Sequence, residues 1–157
     1  VESATMLGAY IGSVTHSTPV PLSGVATDLS NLDGTGLPPT DYEGPTGIVA
    51  VLGEACREAG IQATSIWAAT PHYLAANANP MAMRALLRKA GQIVGFAGDS
   101  EELRAQEADF VLQVDEAVAE SDDLAEYVRE IAENDRSLDP GRSGELFDEI
   151  ERYLKDV

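Results

Sequence analysis

The hydrophobic positions change period along the chain. "ATMLGAYIG" (4–12) is a short, glycine-punctuated apolar run, the pattern of a buried strand. "TPVPLSGVAT" (18–27) carries two prolines, which suit an extended or edge segment better than a central strand. "DLSNLDGTGLPPTDYEGP" (28–45) reads as a loop by composition, of a length that is usually functional or mobile. A helix is predicted over 46–59, with Ile48, Val51, Leu52, Ala55, Cys56 and Ala59 on one face and Gly60 ending it. "IQATSIWAATP" (61–71) is a second apolar strand. Asn79 followed by Pro80 then starts another helix, with Met83, Leu86, Leu87 and Ala90 as its core stripe.

Strand, helix, strand in that order implies a parallel crossover and an α/β layer. After Ser100 the strand signals stop. Leu103, Phe110, Val114, Ala117 and Val118 mark one amphipathic helix, and Leu124, Tyr127, Val128 and Ile131 a second. Beyond "DPGRSG" (139–144), Leu146, Phe147, Ile150, Tyr153 and Leu154 mark a third. The division expected is an α/β part over 1–98 and an acidic helical subdomain over 99–157. Two or three strands are few for a parallel layer, and strand 4–12 has no βα unit before it. The expectation is therefore the C-terminal part of a larger α/β/α domain, whose sheet is completed by residues outside this sequence.

Charge sharpens the division. The formal net charge is −17, with seven acids and four bases in residues 1–98 against twenty acids and six bases in 99–157. Such a field repels a phosphate backbone, so no nucleic-acid partner is expected. The helical region reads as a solvated acidic surface, or one that selects basic partners. No apolar run is long enough for a bilayer and no basic segment leads into an apolar core, so a cytoplasmic protein without a membrane partner is expected. Cys56 is the single cysteine, which rules out a disulfide within the chain, and its apolar helical face suits a packed thiol.

Candidate chemistry is sparse. Tyr42, Gly44, Pro45, Thr46 and Gly47 stand before a helix start, where outward amides suit a phosphate or carboxylate. The plainer reading is a tight joint at which Gly47 permits close backbone approach. No P-loop lysine follows. His16 and His72 each follow a strand end, where α/β sheets bind ligands, and His72 is a candidate acid or base with Asp41 or Glu43 as conceivable partners. The plainer reading makes each imidazole a hydrogen-bonded part of a structural loop. Trp67 is core or contact surface, and Tyr73 a stacking or interface residue. No catalytic set, metal cluster or cofactor motif is complete, so no metal or cofactor is expected.

Taken in order, "SVTHSTPVPLSG", "YEGPTGIVAVLGEACREAGIQATSIWAATPHYLAANANPMAMRALLRKAGQIVG" and the acidic "LAEYVREIAENDRS" resemble the C-terminal half of the proteasome assembly chaperone 2 family, in its actinobacterial-type branch. The resemblance implies a three-layer α/β/α sandwich similar to nucleoside phosphorylases. It also implies about a hundred further residues ahead of these, an added helical region at 100–157, and members that oligomerise. The archetypes are assembly chaperones for proteasome α-subunits. A non-enzymatic protein-binding module is thus expected, partnered by copies of itself and by the N-terminal half. The alternative is an anion- or small-molecule-binding enzyme using the crevice near Gly44–Gly47, His16 and His72. Where the family commonly reads Asp-Val-Pro-His-Thr-Arg-Pro, this chain has Ser13-Val14-Thr15-His16-Ser17-Thr18-Pro19, lacking the acid and the arginine.

Overall fold

The computed structural model describes residues 2–40, 47–74 and 78–137. Three strands form one sheet: β1 (Ser3–Gly12), β2 (Leu22–Ala26) and β3 (Gln62–Pro71), in the order β1-β3-β2. β1 pairs with β3 in parallel, Ser3 opposite Gln62 through Gly12 opposite Pro71. This is the pairing that the crossover predicts. β2 runs antiparallel to β3 on the other side, so the proline-rich segment is indeed an edge. Among the described residues four α-helices follow the strands or join them: α1 (Ile48–Glu58), α2 (Pro80–Val94), α3 (Glu101–Ala119) and α4 (Asp122–Ser137).

Alternation along β3 separates two faces. Ile66 and Ala68 are fully buried and pack with Ala82, Leu86 and Ala90 of α2 and with Leu37. The opposite parity, Ser65 and Trp67, stands beside Met6 and Gly8 of β1 in the parallel register. α1 lies on that side, with Gly53 set against the Met6 methyl. A side chain at Gly8 would come within 2.6 Å of the Trp67 ring, so the indole lies across the neighbouring strand and is half-buried.

Local chemistry fixes the helix ends. α1 closes in a Schellman turn: the Gly60 amide donates to the Arg57 carbonyl at 3.1 Å and the Ile61 amide to Cys56 at 2.8 Å. Gly60 has φ +71, which a residue with a Cβ rarely adopts. Asn79 Oδ1 accepts from the Ala82 amide at 3.1 Å, and Pro80 takes the first turn of α2. Ser100 and Ser121 cap α3 and α4 through the Leu103 and Leu124 amides. Between α2 and α3 the chain doubles back so closely that a Cβ on Gly98 would collide with the Leu87 carbonyl. α3 then packs on α2, and α4 on α3.

Several apolar stripes end up less covered than their periodicity predicts. β1 reads as a buried strand, yet Leu7, Tyr10 and Ile11 are 41%, 37% and 54% exposed. On α1 only Cys56 is buried, while Ile48, Val51 and Leu52 face outward. Met83, expected in the core stripe of α2, is exposed. The common cause is that no other described element lies over β1's outer edge or over the outer face of α1. The long loop deviates in the opposite sense. Its described part, 28–40, is packed rather than loose: a 3-10 turn capped by Asp28 leads to Leu32 and Leu37, both buried. The third acidic helix, around Leu146–Leu154, lies outside the described residues.

Candidate interaction surface

The two outer edges of the sheet differ completely. β2 is sealed by the chain that follows it. The Gly24 amide donates to the Pro38 carbonyl at 2.9 Å, and the Thr40 amide donates to the Gly24 carbonyl at 3.1 Å. β1's outer edge pairs with nothing among the described residues. Beside it runs an apolar groove of ≈ 710 Å³, floored by Leu7, Ala9 and Ile11 of β1 and walled by Ala82, Met83 and Leu86 of α2. A flat apolar edge with unpaired amides and carbonyls is a template for another strand.

The predicted site residues separate into three groups. His16 and Tyr73 come together. His16 is 5% exposed, and its backbone amide donates to the Tyr73 hydroxyl oxygen at 3.0 Å. Its Nδ1 lies 2.7 Å from the same oxygen, and its Nε2 lies 3.0 Å from Asp115 Oδ1. One neutral imidazole satisfies every group: Nε2–H donates to the carboxylate, Tyr73 O–H donates to Nδ1, and the backbone N–H donates to Tyr73. Burial pushes the Tyr73 hydroxyl above its ordinary pKa, an effect that the His16 amide opposes. The hydroxyl so engaged ties the loop after β1 to the turn after β3. Tyr73 also stands edge-on to Tyr127 of α4, with centroids 6.4 Å apart. The loop after β1, the turn after β3, α3 and α4 are thereby fastened at one point.

His72 does not join this cluster. It is exposed at the start of the 3-10 turn, without a side-chain partner among the described residues. Trp67 is packed against Gly8 inside the α/β part. Tyr42, Gly44, Pro45 and Thr46 lie outside the described residues. Gly47 is the N-cap of α1 at φ −86, with open space around its Cβ position among the described residues. No described residue makes the close approach expected there. Its carbonyl accepts from the Ala50 and Val51 amides, the ordinary work of an N-cap, which glycine performs without steric need.

A second polar cluster has no motif in the sequence. Arg84 of α2 donates to both carboxylate oxygens of Asp99, at 2.9 and 3.1 Å, and to Glu107 of α3. Arg104 adds a bond to Asp99 at 3.2 Å. These bonds, that of Arg84 first, lower the Asp99 pKa to about 2. The acidic helices are thus anchored through their own carboxylates at both ends of α3. An excess of acids after position 98 was the only available signal. Among the described residues no group of three or more His, Cys, Asp or Glu side chains is arranged to hold a metal. No described helix is long and apolar enough to cross a membrane.

Comparison with known proteins matches this architecture. The PAC2 family model covers residues 1–118. A proteasome-assembly chaperone homologue of Mycobacterium tuberculosis is 40% identical with a TM-score of 0.69, over 80% of this chain and 54% of its own. A PAC2 family protein of Streptomyces avermitilis is 41% identical with a TM-score of 0.72, over 82% of this chain and 54% of its own. A Pyrococcus furiosus archaeal homologue of proteasome-assembly chaperone shares the fold at 16% identity, with a TM-score of 0.58 over 71% of this chain and 50% of its own. No protein of curated function matches the sequence. The chain spans about half the length of these solved relatives. Its mixed α/β sheet, its helices and its match to the family model place it in the PAC2 family.

Proposed function

We propose that this chain is the C-terminal part of a protein-binding assembly module, related in role to the proteasome-assembly chaperones that it resembles. The observation that carries the reading is the unpaired, apolar edge of β1, set beside relatives of about twice the length. Further strands belonging to the same protein continue the sheet past β1 and complete an α/β/α sandwich of the nucleoside-phosphorylase type. Residues 1–98 form its C-terminal part, and 99–157 an acidic helical subdomain clasped to it at His16 and Arg84. The protein works in the cytoplasm as a homo-oligomer whose partners are proteins. The segment around Tyr42–Gly47, with His72 beside Tyr73, belongs to its contact surface.

The test is affinity capture from native lysate with the full-length protein, read by mass spectrometry, alongside its mass in solution. Recovery of a defined protein partner by wild type, lost when Tyr42 or Pro45 of the proposed contact segment is replaced by Asp with retained helicity, is the expected result. Capture of no protein above background, or turnover of a small molecule that His72→Ala abolishes without unfolding, would overturn the reading.

A further inference from the structure

A second groove flanks α2 on the side away from β1. It encloses ≈ 350 Å³ between α2 and the segment that leads into β2. Its floor is apolar: Val20, Leu22, Met81 and Ala85. Its rim is predominantly cationic, with Glu107 as the acid among its described lining, and that balance is unusual in a chain with twenty-seven acids and ten bases. Arg84, Arg88 and Lys89 all line it. Arg84 and Arg88 are four apart and so share one helical face.

The three cations are not equivalent. Arg84 is already answered by Asp99 and Glu107, so it forms a neutralised wall. Lys89 gives one hydrogen bond to the Thr35 carbonyl at 2.9 Å, which orients the ammonium without neutralising it. Arg88 is exposed and meets no carboxylate among the described residues. In a protein this acidic, unpaired cations would readily collect local carboxylates. Among the described residues two have none, at the lip of a trough floored by apolar side chains.

We propose that the groove between α2 and β2 docks an acidic peptide segment of a partner protein, one that carries aliphatic side chains beside its carboxylates. The inference rests on the binding-module reading and gives its partner a chemistry. The floor requires an apolar side chain, which a free inorganic anion lacks. The rim requires carboxylates on the same segment. A nucleic acid meets the negative field of α3 and α4 on approach, whereas a short segment feels chiefly the charges within about 8 Å at physiological salt. Complementary charge at the lip sets orientation and association rate, and the trough supplies the retained contact.

The test uses the full-length protein and a capped synthetic peptide of leucine and glutamate, with leucine–lysine and serine–glutamate peptides as comparators, read by fluorescence anisotropy at low and high salt. The leucine–glutamate peptide is expected to bind best and to weaken as salt rises. Arg88→Glu, at an exposed site outside every polar tie described above, is expected to lower its affinity about tenfold, an electrostatic loss of about 1.4 kcal/mol. Arg88→Gln should fall between, and circular dichroism checks that both variants fold. Equal binding of the leucine–lysine peptide, or wild-type affinity in Arg88→Glu, overturns the proposal. Self-association that Arg88→Glu abolishes also overturns it, by making a second copy the occupant. If Arg88→Glu captures every lysate partner that wild type captures, the groove is refuted and the assembly reading stands. If wild type captures none, the assembly reading fails, whatever the peptide does.

Discussion

The β1 and β2 flanks of α2 are built on opposite rules. On the β2 flank the chain folds back on itself: Pro38–Thr40 closes the strand edge, Lys89 holds the Thr35 carbonyl, and Arg84 holds Asp99 and Glu107. On the β1 flank a strand edge, a groove and three large apolar side chains face outward, and among the described residues nothing pairs with the edge. Full burial of an apolar side chain is worth roughly 1.5–3 kcal/mol, and Leu7, Tyr10 and Ile11 are about half covered already, so the open β1 flank forgoes roughly 2–5 kcal/mol. The difference teaches that one side is optimised for self-sufficiency and the other for company.

The largest effect is expected where the chain turns most tightly, in the link between α2 and α3. Gly98→Ala sets a Cβ against the Leu87 carbonyl, which no rotamer relieves. A loss of about 3 kcal/mol in urea unfolding is expected, with α3 and α4 detaching first in hydrogen exchange. His16→Ala comes next. It removes the ring's hydrogen bond to Tyr73 and frees Asp115, while the residue 16 amide still reaches Tyr73, for a loss of about 2 kcal/mol, with faster exchange confined to α3, α4 and the Tyr73 turn. Gly24→Ala presses on Leu32 at 2.8 Å and Leu37 at 3.3 Å, and about 1 kcal/mol is expected because the leucine tips can shift.

Acid sharpens the contrast further. The Asp99 carboxyl is depressed to about 2, chiefly by Arg84, so its folded-state value lies below its unfolded one. Its stabilising contribution is complete above about pH 4, the ordinary aspartate value, and is lost as pH falls towards 2. Asp99→Asn should flatten that part of the stability profile. The smallest effect belongs to the open flank. Ile11→Lys should change unfolding free energy by under about 0.5 kcal/mol in this chain, because Ile11 is over half exposed, yet it should suppress aggregation. A large loss there would mean that the edge is covered after all.

How much was legible follows from the range of each signal. Gly60, Asn79-Pro80 and the crossover act over a few residues, so the helix ends and the parallel pairing could be read directly. Burial could not. Periodicity identifies an apolar face but not whether anything lies over it, which is why α1's stripe and Met83 read as core and are exposed. The His16 tie was half legible, as a histidine after a strand. Its acid comes from α3, 99 positions away, and no spacing rule spans that distance. The basic lip of the second groove was also hidden, because four bases among ninety-eight residues look dilute until a helix aligns three of them.

Cys56 offers a use for the asymmetry. It is the chain's one thiol, 8% exposed on the inner face of α1, the helix whose outer face is bare. An alkylating reagent reaches it only when that helix lifts from the sheet, so the labelling rate is a built-in clock for opening on that side. A partner that clamps α1 will slow the clock, and one that binds elsewhere will leave it running at the same pace.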